Sequence, residues 1–389
     1  MSDLHSGEKK YAPSVRIIAT SLTVAIILLI LEIFFYFFDF QHSDRFRQEP
    51  EVVGVDTAKV SRFFNSTFEP DLGWDTHPIA RNFEANQSFI AISFGDSFTR
   101  GNEVDDDETW QAAFEQITGM PILNMGVGGY GIDQAVLKFE KYASIYPAPY
   151  CILNVNSETY RRVLAYHMTY YFESGWSYAF KPIFIRNNRR YELKELPCTT
   201  SECLVRILRE PPDELVQFLE VWDYWYQKYQ KKPTLRFPYT VSFIQAIPEW
   251  IIRKGELYGF YDYFFMNEHA FELTKYLIKR FSDGCKRLGA KPLVLILNGP
   301  YQLNHIRDTG KRWDRPLLMF LADSNVPFVD STQFIMDKYI SKNGFDSLGK
   351  PQGHFNADGN RLIAEALVAY FVNQNESMVP QKNISMDRP

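Results

Sequence analysis

Short apolar runs alternate with helical segments in two stretches of the chain. Residues 88–94 and 122–125 form apolar runs that stop at glycines, and 150–155, 293–297 and 326–330 are further short apolar runs. Helices are predicted over about 105–118, 132–144 and 357–373. This alternation predicts a parallel sheet covered by helices on both faces, with functional loops at the carboxyl ends of the strands.

The N-terminal region contains a much longer apolar run, residues 17–38. As a helix it reaches about 33 Å, which is enough to cross the hydrocarbon core of a bilayer. The run lacks a small-residue cleavage site, so we interpret it as an uncleaved anchor rather than a signal peptide. Glu32 lies inside it and is expected to reach the near interface or to face a partner helix.

These patterns divide the chain into a cytoplasmic N-terminus, an anchor, a stalk, a catalytic domain interrupted by an insertion or lid, and a flexible tail. The insertion is aromatic, with 16 Phe, Trp or Tyr residues among the 51 of 215–265. It could form a sugar-stacking or acyl-binding wall, an interfacial belt beside a bilayer, or an ordinarily packed cap. The predicted bounds are 1–16 for the cytoplasmic N-terminus, 17–38 for the anchor and 39–85 for the stalk. The catalytic domain is predicted over 86–159 and 272–374, the insertion over 160–271 and the tail over 375–389.

Charge and cysteine content narrow the possible partners and compartments. With 42 basic and 47 acidic residues the net charge is −5, without the basic excess of a nucleic-acid-binding protein. The spacing of Cys198 and Cys203 would allow a small disulfide loop, and two free thiols are the alternative. The basic residues that flank the span differ little in number, with Lys9, Lys10 and Arg16 before it and Arg45 and Arg47 after it. The positive-inside preference for a cytoplasmic N-terminus is therefore slight. Together these features favour a single-pass membrane protein whose catalytic domain is extracytoplasmic.

The sequence Gly95-Asp96-Ser97-Phe98-Thr99 directly follows the first predicted strand. A serine at the turn from a buried strand into a helix is well placed to act as a nucleophile. A capping role for this turn is the alternative interpretation. Ser97 is therefore the candidate nucleophile.

A serine nucleophile needs a base, and His354 is the candidate among seven histidines. It lies just before the C-terminal helix, in the connection after the predicted strand that ends at residue 330. This places it at the same sheet edge as Ser97. The backbone N–H groups of Ser97 and Gly129 are predicted to stabilise an acyl oxyanion, and the Asn156 or Thr159 side chain could add a donor.

The three blocks resemble the SGNH/GDSL hydrolase family. Gly95-Asp96-Ser97 is similar to its nucleophile block, residues 124–129 to its glycine block, and residues 354–359 to its histidine block. The resemblance covers roughly 88–160 and 288–373. It implies a flavodoxin-like three-layer α/β/α fold, no metal or other cofactor, and hydrolysis or transfer of O-acyl esters, often on carbohydrates.

The family commonly has an aspartate two or three residues before its histidine, where this chain has Pro351 and Gln352. Gln352 is therefore predicted to hold the His354 imidazole without stabilising the imidazolium, which would give low activity. The resulting expectation is a membrane-anchored serine esterase or O-acyltransferase acting on an extracytoplasmic acylated glycan or lipid. The alternative is a degenerate SGNH domain that binds glycan without catalysis.

Overall fold

A computed structural model describes residues 13–41, 55–75, 88–172, 179–188, 190–230, 235–247, 267–339 and 344–374. The chain divides into two compact units. Residues 1–53 and 228–258 form one unit, and residues 54–227 and 259–389 form the other, which contains the segments predicted as the catalytic domain and is called the catalytic unit after that prediction. The basic residues that flank the predicted anchor and the predicted flexible tail, 375–389, lie outside the described residues, and so does the Arg16 side chain.

The catalytic unit is built on a five-stranded sheet in which every neighbouring pair is parallel. Its strands are β3 Ala91–Phe94, β4 Ile122–Asn124, β5 Tyr150–Val155, β8 Lys291–Ile296 and β9 Phe328–Asp330. Across the sheet their order is β4-β3-β5-β8-β9. The predicted strands are confirmed in number, order along the chain and parallel pairing, and the three-layer α/β fold is confirmed with them.

Helices cover both faces of this sheet. On one face α5 (Ile132–Tyr142) packs beside α12 (Glu268–Arg287), and on the other α4 (Trp110–Thr118) packs beside α16 (Ala357–Asn373). Alternate strand residues enter two separate apolar clusters, so that Leu153 belongs to one and its neighbour Ile152 to the other. This division follows from the period of two along a strand.

Residues 55–75 are part of the catalytic unit rather than of the stalk predicted over 39–85. They form α2 (Thr57–Ser66) and a small antiparallel hairpin of β1 (Phe68–Glu69) and β2 (Gly73–Trp74). The indole Nε1 of Trp74 donates to the carbonyl of Gly128 at 3.0 Å, and Lys138 forms a buried ion pair with Asp75. The absence of clear periodicity hid this segment, because its contacts are made to distant residues rather than along its own length.

The remaining elements of the catalytic unit lie in the loops after β3 and β5, in the insertion and in the C-terminal half. They are α3 Ser97–Arg100, α6 Ser157–Arg162, α7 Met168–Phe172, β6 Ile183–Asn187, β7 Arg190–Lys194, α8 Ser201–Arg209, α9 Asp213–Trp222, α10 Tyr224–Gln230, α13 Pro300–Thr309, α14 Arg315–Asp323 and α15 Ser331–Lys338. Strands β6 and β7 pair antiparallel. Of the two alternatives for Cys198 and Cys203, the structure has the disulfide, with the Cα atoms 5.6 Å apart.

The other unit contains the long N-terminal helix α1 (Pro13–Gln41) and a second helix, α11, over residues 239–247. Within α1, residues Ile17–Phe37 are long and apolar enough to cross a membrane, although a signal sequence would meet the same criteria. The segment 160–271 was predicted as one insertion. It divides instead, because 228–258 belongs with the N-terminal residues.

Candidate active site

The nucleophile turn is set by the close packing of Gly95 and by the cap at Asp96. A Cβ on Gly95 would lie 2.1 Å from Thr99 Oγ1 and 2.8 Å from Asn154 Cβ, so only glycine fits. The Asp96 carboxylate accepts from the Phe98 N–H at 3.0 Å and caps α3. Ser97 therefore begins a helix at the carboxyl edge of the sheet, 7% exposed, and lines a cavity of about 970 Å³.

His354 lines the same cavity and has a carboxylate partner that the sequence analysis did not identify. Its Nδ1 lies 2.6 Å from Oε2 of Glu103. The Gln352 N–H donates to Glu103 Oε1 at 3.0 Å, and the His354 N–H donates to Oε2 at 3.4 Å. One carboxylate thus fixes both the ring and the backbone of the histidine loop.

These hydrogen bonds determine the protonation of the Glu103 carboxyl. Partial burial acts to raise its pKa, but the bonds from the His354 ring and from the two backbone N–H groups outweigh it, so the pKa lies below its ordinary value. An ionised carboxylate can only accept hydrogen bonds, so Nδ1 of His354 carries a proton. In the neutral ring Nε2 is then free of hydrogen and can accept a proton, as a general base requires.

Gln352, the residue predicted at the acid position, is placed beside this pair but does not occupy that role in the structure. It lines the cavity, and its backbone N–H contacts Glu103. Glu103 comes instead from the loop after α3, where its positive φ of 70° turns the chain. The carboxylate that contacts His354 therefore lies six positions after Ser97 in the sequence, whereas the predicted position was beside the histidine.

Asn156, predicted as a possible oxyanion donor, is engaged beneath the nucleophile turn. Its side-chain Nδ2 donates to Asp96 Oδ1 at 2.9 Å and to Asn154 Oδ1 at 3.0 Å, which uses both amide hydrogens. Its Oδ1 accepts from the backbone N–H groups of Glu158 and Thr159 and caps α6. This arrangement favours a bracing role for Asn156 over oxyanion stabilisation.

The other alternative donor, Thr159, is also engaged. Its Oγ1 contacts both the N–H and the carbonyl of Asn156 at 3.0 Å. Neither Thr159 nor Asn156 belongs to the residues that line the cavity.

Gly129 does line the cavity, together with Ser97. Its φ of 83° lies in the left-handed region, which favours glycine. In the described part of the chain, neither the Gly129 N–H nor the Ser97 N–H donates a backbone hydrogen bond. Both predicted backbone donors thus retain a hydrogen for a ligand.

A buried ion pair completes the floor of the site. Arg162 Nη1 lies 3.1 Å from Asp96 Oδ2 and 3.2 Å from the Tyr130 carbonyl, and Nη2 lies 3.2 Å from Glu158. Burial raises the pKa of the Asp96 carboxyl, and the Arg162 guanidinium and the Asn156 amide offset part of that rise. The carboxyl next to the nucleophile is therefore part of a closed internal network.

No family model and no curated protein sequence matches the chain. Among solved structures, it is similar to a catalytic mutant of Axe2, an acetylxylan esterase from Geobacillus stearothermophilus, at 10% identity and a TM-score of 0.36, over 76% of this chain and 99% of that one. It is also similar to a member of the lipolytic protein G-D-S-L family from Veillonella parvula, at 12% identity and 0.33, over 72% and 97%. Likenesses of this size carry no argument about function, so the function is argued from the geometry.

Proposed function

We propose that the chain is a membrane-anchored serine esterase or O-acyltransferase. The observation that carries the proposal is the Glu103 carboxylate 2.6 Å from Nδ1 of His354, on the cavity that Ser97 also lines. A nucleophile, a base and an orienting carboxylate are the three parts of a serine-hydrolase triad, whatever their order in the sequence. In this proposal Glu103 fills the role that the sequence analysis gave to Gln352.

The reaction proceeds through an acyl-enzyme. Ser97 Oγ attacks the ester carbonyl while Nε2 of His354 accepts its proton, and the N–H groups of Ser97 and Gly129 stabilise the oxyanion. Collapse breaks the bond to the alcohol, which leaves with the proton from Nε2. Water, or the hydroxyl of an acceptor in the transferase case, then attacks the acyl group while His354 accepts its proton. The bond from the acyl group to Ser97 Oγ breaks, and the Oγ takes that proton back from Nε2. Glu103 stabilises the imidazolium formed in each half-reaction.

The lining of the cavity supports an acylated glycan or a lipid with a polar head as substrate. Aromatic side chains of Phe63, Trp74 and Tyr301 lie on it together with polar Asn102 and Gln302. Aromatic faces contact sugar rings and acyl chains, and the amides can hydrogen-bond to hydroxyl groups. At about 970 Å³ the cavity is large enough for more than a single acetyl group.

The proposed location is the outer side of a membrane. The apolar helix Ile17–Phe37 would supply a single anchor, and the Cys198–Cys203 disulfide is typical of an oxidising compartment. The helix alone sets no orientation, and the disulfide favours the one in which the catalytic unit is extracytoplasmic.

Labelling with a fluorophosphonate probe, followed by turnover of a simple acetyl ester, tests the function. We expect Ser97→Ala to lose labelling and about 10⁴-fold or more of its turnover, because no other group forms the acyl-enzyme. The matched control is Ser331→Ala, since Ser331 also follows a sheet strand, β9, but donates to the Ile296 carbonyl. It should still label.

Labelling that persists in Ser97→Ala would contradict the assignment. An acylated glycan that binds the wild-type chain without serine-dependent turnover would instead support a binding domain.

A further inference from the structure

Glu32 has an unusual position within the candidate span. It lies five residues before the end of Ile17–Phe37, which corresponds to about 7.5 Å along the helix axis. A carboxylate at that depth is costly unless it is paired. Its two oxygens accept from the N–H groups of Tyr239 and Thr240 at 2.6 and 2.8 Å.

Those two N–H groups belong to the first turn of α11, whose donors have no partner within the helix. A helix N-terminus attracts negative charge. The pairing favours placing both groups in an apolar medium, because unpaired backbone N–H groups are costly there and a lone carboxylate is costlier still.

Ring contacts extend the pairing of α11 with α1. Phe35 stacks on Phe243 with centroids 4.1 Å apart, and Tyr36 contacts Tyr239 at 5.5 Å. Among the described side chains of α1, residues 17–37, all are exposed except Leu31, Glu32 and Phe35. These three form one stripe of the helix, since positions i and i+4 share a face. The contact therefore lies at one end of the candidate span.

The side of α11 that does not contact α1 carries exposed apolar residues. Val241 and Ile244 are 50% and 58% exposed, and their spacing of three residues puts them on one side of the helix. Phe237, two residues before the helix begins, is 76% exposed, and we call these three residues the α11 positions. This surface adjoins a helix that is itself apolar and exposed over its length. Acyl chains at the boundary of the bilayer are the occupant that covers both surfaces continuously.

We propose that residues 235–247 are a second membrane-contacting element, docked on the anchor through Glu32 and seated at the hydrocarbon boundary. Because residues 228–258 leave and re-enter the catalytic unit, that unit is then tethered to the bilayer at two places in the chain. The inference rests on the proposed anchor and is independent of the catalytic assignment.

Fluorescence quenching in the full-length chain in phosphatidylcholine vesicles tests the seating. An environment-sensitive fluorophore is attached at Phe237→Cys, Val241→Cys or Ile244→Cys, and quenching by a lipid with a nitroxide on its acyl chain is measured. Ile26→Cys in the span is the positive control, and Met319→Cys, an exposed apolar position on α14, is the negative control. We expect at least twofold quenching at the three α11 positions and at Ile26→Cys, and none at Met319→Cys.

Three results would overturn the inference, and they are distinguishable. If the α11 positions behave like Met319→Cys while Ile26→Cys is quenched, the anchor stands and the second contact is wrong. If Ile26→Cys is also unquenched, the chain does not span the bilayer, and both the anchor and the second membrane contact are wrong. A protein partner on α11 would leave its labels shielded from water-soluble reagents but unquenched by the lipid, which counts against the proposal.

Disulfide cross-linking tests the docking separately. Phe35→Cys with Phe243→Cys should cross-link rapidly, and the control pair Ile33→Cys with Phe243→Cys should do so at least fivefold more slowly. Adding Glu32→Leu should lower the yield of the first pair severalfold, and Glu32→Gln, which retains one acceptor, should lower it less. Equal yields from both pairs, or no effect of Glu32→Leu, would refute the role of Glu32.

Discussion

Two carboxyl groups flank the nucleophile, and their surroundings differ in kind. Asp96, on the floor, is fully buried and tied to Arg162, Asn156 and the Phe98 N–H. Glu103, on the rim, is partly exposed and bonds to the histidine loop. Burial raises the pKa of Asp96, whereas hydrogen bonds lower the pKa of Glu103.

This difference suggests a structural role for Asp96 and a catalytic role for Glu103. The floor holds the turn at Ser97 in place through hydrogen bonds and an ion pair among residues of the chain itself. In the proposed reaction, the rim carboxylate faces a group that must gain and lose a proton in each cycle, so an ionised acceptor is useful only there. Changes on the rim should therefore reduce turnover in a folded chain, and changes on the floor should reduce stability first.

The largest effect is expected for Glu103→Gln. The variant keeps the shape of the side chain but cannot stabilise the imidazolium, and we expect turnover to fall by about 10²–10⁴-fold, in line with the loss of the carboxylate in serine proteases. Ester turnover, with folding checked by circular dichroism, measures it. Asp107→Asn, an exposed carboxylate in the same loop, is the control and should retain activity. A Glu103→Gln chain as active as this control would exclude Glu103 from the triad.

Asp96→Asn should affect stability more than any surface change. It replaces one of the two buried carboxyl oxygens, which accept from Arg162, Asn156 and the Phe98 N–H, by an amide group that cannot accept, and we expect a loss of about 3 kcal/mol in the free energy of unfolding. Glu158 still contacts the guanidinium and limits the loss. Asp106→Asn, which breaks the surface pair with Arg100, should cost about 1 kcal/mol or less. Denaturant titration of the two variants measures the contrast, and similar losses would contradict a structural floor.

The opposite pKa directions predict opposite pH dependence for these two variants. The folded pKa of Asp96 is raised, so its advantage over Asn is present below the unfolded pKa and shrinks as pH rises through the folded value. The folded pKa of Glu103 is lowered, so its advantage over Gln is present above its ordinary value of 4.5 and is lost as pH falls through the folded value.

Free energies of unfolding measured between pH 3 and pH 7 give the two differences directly. The stability difference for Asp96→Asn should grow toward low pH, and that for Glu103→Gln should shrink. Equal slopes would remove the distinction between floor and rim.

The sequence specified the sheet better than the site. Strand β5 was predicted at its observed bounds because all six of its residues are buried, and α16 because a capping Asn356 precedes a long helical pattern. Ser97, Gly129 and His354 reach one cavity because parallel strands end at one edge. Their catalytic roles remain predictions.

Glu103 escaped prediction because its contact joins residues 251 positions apart. No local pattern encodes that contact, and the only signal was an acidic residue after Gly101-Asn102 in a turn. A sequence motif likewise does not reveal that both amide hydrogens of Asn156 are donated to other side chains. In each case the deciding fact was a tertiary partner rather than the residue type.

The smallest effect is expected at Gln352. From the sequence alone, Gln352→Asp should raise turnover about tenfold or more by restoring a carboxylate beside His354. With Glu103 already bonded to Nδ1, that gain has no physical basis, and an added negative charge close to Glu103 should leave turnover unchanged or lower it. Gln352→Ala should change the activation free energy by about 0.5 kcal/mol or less, roughly twofold in rate, because the bond to Glu103 comes from the backbone N–H and survives the substitution.

The sharper measurement is Gln352→Asp in the Glu103→Gln background. If a carboxylate at either place can orient the imidazole, the second substitution should recover part of the turnover lost to the first, although it does nothing alone. A gain of tenfold or more in the wild-type background would instead show that Glu103 does not serve His354 in catalysis. Comparing the two backgrounds therefore decides which side of the histidine supplies the acid.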